Sequence, residues 1–371
     1  MDAMSFDSVP EARFVLTYQQ RNITRDISKH LISIAYSDML SGSSDSLDVE
    51  LEDSEGKWLD AWYPGHGDAL VFSLGWQGKP LRSVGRFEID EVELLCAPSV
   101  VRIRALATGI TTSVRTAEHK AYEATTLDEV ARQIAQRQGL TLTGRIEPVK
   151  LDRLTQQESD LEFLRQLAGE YDYAFKVVGS RLVFHSISDL AVAAPVATLA
   201  LKDLSNVSLR DQIRTVPQRV EVKHRDPAKK ALVTYQVVNG ETVAVPSSAS
   251  KTTTSADTAK RRKRSTSPEQ AKARAKADLA RANRERTTGG WSAMGQPGLV
   301  SGNVVTLAAA GKLGGQYLVT SSAHRLSRSA GYVTDVQACR VAGAAIAYSS
   351  NAAAPDLALS SYGIADDGVV A

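Results

Sequence analysis

The sequence reads as a mainly β protein with an α/β insert, and three observations lead there. Apolar and polar residues alternate in short runs over 11–110, the period becomes helical between about 115 and 188, and alternation returns from about 198. The chain has 371 residues and a mass of 39.9 kDa, long for a single hydrophobic core, so two to four compact units are expected.

The first unit is assigned to residues 1–114. Phe14, Leu16 and Tyr18, then Ile32, Ile34 and Tyr36, then Leu47, Val49 and Leu51 each occupy alternate positions. Leu70, Phe72 and Leu74 do the same, as do Val101, Ile103 and Ala105. Turn formers separate the runs, as in Asp53-Ser54-Glu55-Gly56 and Pro64-Gly65-His66-Gly67. Short strands at this spacing suggest an antiparallel barrel or sandwich. Asp48 and Glu50, running on into Glu52 and Asp53, make an acidic stripe without the spacing or glycine of an EF-hand loop, so it reads as a solvated strand face.

Residues 115–190 form the insert. Thr126-Leu127-Asp128-Glu129 is a capping box, in which the Thr126 hydroxyl accepts from the Glu129 amide and the Glu129 carboxylate reaches back. Leu127, Val130, Ala131, Ile134 and Ala135 then line one helical face, and Gly139 stops the helix. Ser159-Asp160-Leu161-Glu162 repeats the signal, with Leu161, Leu164, Leu167, Ala168 and Tyr171 on one face. Ala174 to Val178 and Arg181 to His185 read as a hairpin around Gly179-Ser180.

Residues 191–343 form the second β unit, in which Val220 and Val222, then Val233, Tyr235 and Val237 alternate. Residues 246–266, rich in Ser, Thr and Lys, are expected to be a mobile basic loop. A helix follows over 267–288, with Ser267 as cap, Pro268 at its first position and Ala271, Ala275, Leu279 and Ala282 as a narrow apolar stripe. Strands resume at Val304 to Leu307, Tyr317 to Ser321 and Tyr332 to Val341, and an Ala/Ser-rich tail covers 344–371. Two β regions flanking an insert suggest duplication at the level of the chain.

Charge and chemistry narrow the function classes. Lys+Arg 44 against Asp+Glu 42 is too balanced for a protein that mainly coats nucleic-acid phosphates. Cys96 and Cys339 make no disulfide framework, and a reducing cytosol is the expected place of folding. The N-terminal Met1-Asp2-Ala3-Met4-Ser5 lacks the features of a secretory signal, and no apolar run reaches the roughly 18–20 residues of a spanning helix, so stable membrane insertion is not expected. The phosphate-binding, dinucleotide, nucleophile-elbow and zinc-protease motifs are absent. Gly311-Lys312-Leu313-Gly314-Gly315 reads as a tight hairpin, and the six histidines show no metal-ligand spacing. Glu158, Asp160 and Glu162 sit where acidic groups favour a helix start, which accounts for them better than a glycosidase pair does. No catalytic, metal or cofactor residue is assigned. The basic run Lys260-Arg261-Arg262-Lys263-Arg264 reads as a solvated, partner-facing loop, with contact to nucleic acid or to an inner surface as the alternative and a targeting signal behind both.

Several stretches resemble the phage late control protein D family, the tail hub proteins of P2-like and Mu-like contractile phages and of R-type bacteriocins. They are Trp58-Leu59-Asp60-Ala61-Trp62-Tyr63-Pro64, Gly85-Arg86-Phe87-Glu88-Ile89-Asp90-Glu91-Val92, Leu154-Thr155-Gln156-Gln157-Glu158-Ser159-Asp160, and His324-Arg325-Leu326-Ser327 with Gly331-Tyr332. They occur in the family's order over roughly 11–341. The resemblance implies two tail-tube-like antiparallel β-barrels plus a small peripheral α/β module. It also implies a homotrimer whose six barrels adapt a sixfold tail tube to a threefold spike around a central channel. Implied partners are the trimeric spike, the tube or tube-initiator protein, the tape-measure protein and other baseplate proteins, with no specific nucleic-acid sequence. The implied place is the tail baseplate of a particle made in the bacterial host cytoplasm. Trp62 and Trp76 are expected at barrel edges or interfaces, alongside the basic run as contact residues. Rival readings are a peptidoglycan-binding or wall-degrading tail component and a DNA-binding late-gene regulator.

Overall fold

A computed structural model describes residues 10–107, 116–214, 216–226, 231–238, 255–265 and 267–341. The first β region carries β1 (Ala12–Tyr18), β2 (Arg21–Asn22), a short α1 (Thr24–Ser28), β3 (Leu31–Met39), β4 (Ser46–Glu52), β5 (Ala69–Trp76), β6 (Arg82–Leu95) and β7 (Val100–Leu106). The insert follows as β8 (Lys120–Thr126), α2 (Leu127–Arg137), β9 (Thr141–Thr143), β10 (Lys150–Gln156), α3 (Asp160–Tyr171), β11 (Tyr173–Val178), β12 (Arg181–Ser186) and α4 (Ile187–Ala191). The last region holds β13 (Ala197–Ala200), β14 (Leu204–Asp211), β15 (Arg219–Asp226), β16 (Ala231–Val238), β17 (Thr258–Ser265) and α5 (Pro268–Arg286). It ends with β18 (Thr287–Met294), β19 (Val304–Ala308), β20 (Gly315–Ser327) and β21 (Gly331–Arg340).

The fold is mainly antiparallel β, and the two β regions are not separate sheets. Pairing of β20 with β3 joins them into one sheet of 13 strands, ordered β14-β18-β21-β20-β3-β4-β7-β6-β5-β1-β2, with β19 and β13 attached at β20. In the first half the order is β3-β4-β7-β6-β5-β1, and in the second it is β14-β18-β21-β20-β19-β13. Each half is a three-strand meander, β5-β6-β7 or β19-β20-β21, with an earlier strand laid beside its last member and a still earlier one outside that. The halves differ at the end, where β1 runs antiparallel to β5 but β13 runs parallel to β19. Duplication is therefore visible in topology where no side-chain pattern reveals it.

Each half buries a core through the alternation read from sequence, and Leu326 and Tyr332 of the second half reach into the first. Leu16, Ile34, Tyr36, Leu47, Val49, Leu51, Phe72, Leu74 and Phe87 fill the first, while Leu199, Trp291, Val305, Leu307, Tyr317, Val319 and Val336 fill the second. The outward Asp48 and Glu50 face Arg104 and Arg102 across the β4–β7 pair, as a solvated acidic face should.

The insert buries both amphipathic helices against its strands, with Leu127, Val130, Ile134, Phe163, Leu164 and Leu167 in one core. The Thr126 capping box forms in full, Glu129 donating its amide to Thr126 Oγ1 at 3.2 Å and Thr126 its amide to Glu129 Oε2 at 2.9 Å. At α3 only the forward half forms, because the Glu162 carboxylate pairs with Arg165 instead.

One expectation is corrected. Residues 246–254 lie outside the described residues, as do 108–114 and the tail 344–371. The basic run, however, is not loop: Thr258–Ser265 is an edge strand, pairing parallel to β15 with Lys260 opposite Glu221. An edge strand satisfies its backbone on one side without burying side chains, so a charged sequence is compatible with it and discourages further pairing. The helix after it starts as expected, Ser267 Oγ accepting from the Gln270 amide at 3.1 Å.

Candidate functional site

The fold brings first half, insert and second half together at one buried polar cluster. Lys176 on β11 places its ammonium 2.7 Å from Asp38 Oδ1 at the end of β3 and 3.1 Å from Asp45 Oδ2 before β4. Ser301, from the loop before β19, donates its hydroxyl to Asp38 Oδ1 at 2.7 Å and its amide to Asp38 Oδ2 at 2.8 Å. The Met39 amide donates to Asp45 Oδ1 at 3.0 Å. All three charged groups are buried, with exposures of 3%, 0% and 4% for Lys176, Asp38 and Asp45. Around them Leu40, Ala174, Val183, Leu190, Val304, Leu318 and Val341, drawn from all three regions, form an apolar shell.

Two carboxylates share one ammonium, so their protons are not held alike. Burial works against the charge of Asp38, but Lys176 and the Ser301 donors keep its carboxyl below the ordinary range. Asp45 is pushed up to about 6, by burial first and by the neighbouring Asp38 charge as well, against the pull of Lys176. Burial disfavours the Lys176 charge, yet the two carboxylates outweigh it and raise its pKa.

A second buried contact holds the two β halves together. Trp76, at the end of β5, donates its indole N–H to the Gly295 carbonyl after β18 at 2.8 Å and tilts against Tyr332, 5.3 Å between ring centroids. A side chain on Gly295 would meet the Tyr332 ring at 2.1 Å, so this position needs glycine. His324 on β20 stacks on Tyr36 with centroids 5.8 Å apart, its Nε2 3.0 Å from the Leu299 carbonyl and its Nδ1 2.9 Å from the Tyr332 hydroxyl. Those partners suit a neutral ring donating from Nε2 and accepting at Nδ1. Burial holds its pKa down to about 4.

A third contact joins the insert to the segment between β14 and β18. One face of α5 covers Val220, Val222 and Val237 of the three-stranded β16-β15-β17 sheet with Ala271, Ala275 and Leu279. Its other face docks on α3: Arg274 reaches Glu170 at 2.5 Å, Gln270 donates to the Tyr171 hydroxyl at 3.0 Å, and Arg284 pairs with Asp172. A cavity of about 550 Å³ remains beside this contact, lined in part by Leu40, Tyr173, Arg284 and Cys339. Burial raises the Cys339 thiol to about 11, and both it and the exposed Cys96 are free.

The residues singled out from sequence are dispersed. Trp62 is 42% exposed in the loop after β4, edge-on to Trp58 and His30 with Lys57 over its ring, next to exposed Leu59 and Tyr63. Trp76 is buried, packed between the two β halves. Lys260 is exposed, and the backbone of Arg261, Arg262, Lys263 and Arg264 continues the same strand. Asp160 is more than a helix-start acid: Arg137, Gln156 and Gln138 all donate to it, and although burial works the other way they hold its carboxyl below the ordinary range. Among the described residues no group of His, Cys, Asp and Glu is spaced to hold a metal, and no helix is long and apolar enough to cross a membrane. Sequence reasoning passed over Asp38, Asp45, Lys176 and Ser301. Asp38 carried a signal, since it continues the buried parity of Ile34 and Tyr36 with a charge.

Comparison with known proteins bears on this arrangement directly. The family model described as "Phage tail baseplate hub (GPD)" matches residues 106–330. The chain belongs to this family. Among its relatives, a "Probable baseplate hub protein" of Escherichia phage 186 is 33% identical over 174 residues, 46% of this chain and 44% of that one. The protein of the same name in Escherichia phage P2 is 32% identical over 189 residues, 50% of this chain and 48% of that one. The chain thus spans about half the length of the curated relatives it matches. Solved structures of low sequence identity share the fold. The 43 kDa tail protein of prophage MuSo2 from Shewanella oneidensis superposes with a TM-score of 0.63 at 14% identity, over 89% of this chain and 98% of that one. A tail protein from Neisseria meningitidis MC58 gives 0.62 at 12% identity, over 89% and 96%.

Proposed function

We propose that this chain is a structural baseplate hub of a contractile tail, working by assembly rather than by catalysis. Three copies would form a ring of six β units, presenting pseudo-sixfold contacts to the tail tube and threefold contacts to a spike around a central channel. The observation that carries this reading is the shared strand order of the two halves, joined edge to edge by β3 and β20. Two like units fused side by side are what a threefold assembly needs in order to meet a sixfold one, because heterologous contacts repeated around an axis close a ring. The division into a first tube-like unit over 1–114, an insert over 115–190 and a second unit over 191–343 belongs to the same proposal, with the insert and the β15–α5 segment together as a peripheral layer.

Tube, spike, tape-measure and other baseplate proteins are the proposed partners, and the virion baseplate, assembled in the host cytoplasm, is the proposed location. The exposed Trp62, Tyr63 and Leu59 cluster and the basic strand β17 are the proposed partner-facing surfaces. The test is the mass and symmetry of the purified chain, by light scattering and particle averaging, alone and with its spike protein. Rings of three chains are expected. A chain that stays monomeric with both spike and tube proteins present would sink the proposal.

A further inference from the structure

The two halves have the same strand order but not the same set of partners. Within the chain, Ser321 to Ser327 of β20 pair with β3 along the edge opposite β21, from Ser321 against Met39 to Ser327 against Ser33. By position in the meander, β6 is the counterpart of β20, and β14 is the counterpart of β3. Among the described residues, no strand takes the outer edge of β14, and none takes the edge of β6 opposite β7 beyond Asp90, whose carbonyl meets the His66 ring.

Burial follows the same division. Where the pair is made, Leu326 and His324 of β20 and Ile34, Tyr36 and Asp38 of β3 are all buried. Where it is not, Leu94 of β6 is 40% exposed and Val207 of β14 is 38% exposed, with Ser205, Asn206, Ser208 and Arg210 exposed around it. Neither open edge carries proline or lysine, and the bulge in β14 between Ser205 and Ser208 leaves the strand paired to β18 on both sides of it. The side chains are also complementary in charge, Arg210 on one edge against Glu91 and Glu93 on the other.

We infer that β14 of one copy adds to residues 91–95 of β6 of the next, repeating between chains the β3–β20 pair made within each chain. The occupant of each edge is thus a second copy, since the intrachain junction already supplies the geometry by which one half receives the other. This deepens the ring proposal and rests on it, naming the strands that carry the contact.

Paired cysteines test it in the full chain. In a Cys96→Ser background, Val207→Cys is combined in turn with Glu91→Cys, Val92→Cys and Glu93→Cys and mildly oxidised. One pairing is expected to give a non-reducing ladder that ends at the closed ring. In parallel, Val207→Lys with Leu94→Lys is expected to weaken assembly by about tenfold or more while leaving the unfolding midpoint unchanged, because both positions are exposed in the single chain. Rings seen by particle averaging together with monomers only in all three oxidised pairs would overturn the strand assignment and leave the ring proposal standing. A chain that never assembles, with or without spike and tube proteins, would remove both.

Discussion

Replacing Asp45 by Asn should stabilise the protein at alkaline pH and do nothing for it at acid pH. In the folded chain the Asp45 carboxyl is pushed up to about 6, against an ordinary value of 3.8. A group whose folded pKa lies above its unfolded one contributes its stability below the unfolded value and loses it as pH rises through the folded one. The window here is about pH 4 to 6. The gap of about 2 pH units corresponds to roughly 3 kcal/mol, the net of burial and the Asp38 charge against the pull of Lys176. Asn, like the protonated carboxyl, keeps one carbonyl acceptor, enough for the Met39 amide, and gives up the second oxygen that Asp45 offers Lys176; it removes the excess negative charge and leaves Lys176 and Asp38 as a one-to-one buried pair. Urea unfolding of wild type and variant at pH 4, 6 and 8, read at the first transition, measures the difference. The expected result is near-equality at pH 4 and a gain of about 1–3 kcal/mol for the variant at pH 8. A difference that stays constant across the range, or a variant that is weaker at pH 8, would show that the second carboxylate is needed as a charge, and the reasoning would fall.

Three further outcomes are expected. His324→Gln should flatten the acid limb of stability between about pH 6.5 and 4, because a buried ring with its pKa held down to about 4 contributes above the unfolded value and loses that contribution as pH falls; a titration of wild type against variant checks it. Trp76→Phe strands the Gly295 carbonyl between the two halves and should cost about 1–3 kcal/mol in urea unfolding, more than an exposed Trp62→Phe change. Arg274→Met removes the buried ion pair with Glu170 under α5 and should cost about 3–5 kcal/mol, most of it recovered when Glu170→Gln is added, as a double-mutant cycle would read.

What was legible in the sequence was periodic. Strands such as Leu47–Val49–Leu51 and helices such as Leu127 to Arg137 carry their burial pattern and their caps within a dozen residues, so local reading finds them. Strand β17 escaped it because an edge strand ordered by backbone pairing to β15 needs no apolar face. The second face of α5 escaped it too: its docking depends on Arg274, Gln270 and Arg284, which read as solvent-facing until α3 is set against them. Of the junction, Asp38 alone stood out by parity, and the meaning of that charge depends on Lys176, 138 residues away.

The duplicated frame also accounts for where the chain's polar chemistry collects. The β3–β4 connection and the β14–β18 connection are equivalent by strand order, yet one is a short turn and the other carries β15, β16, β17 and α5. Both reach the insert, the short one through Asp45 on Lys176 and the long one through α5 on α3. The strand order therefore repeats while its equivalent connections do not, and both unequal connections meet the insert. A ring built from such chains would keep a near-sixfold sheet and become threefold where the unequal connections lie. The buried charges at Asp38, Asp45 and Lys176 then serve to fix one arrangement of the insert against two otherwise similar halves, since a one-residue slip of β3 or β11 would leave an ammonium or a carboxylate without its partner.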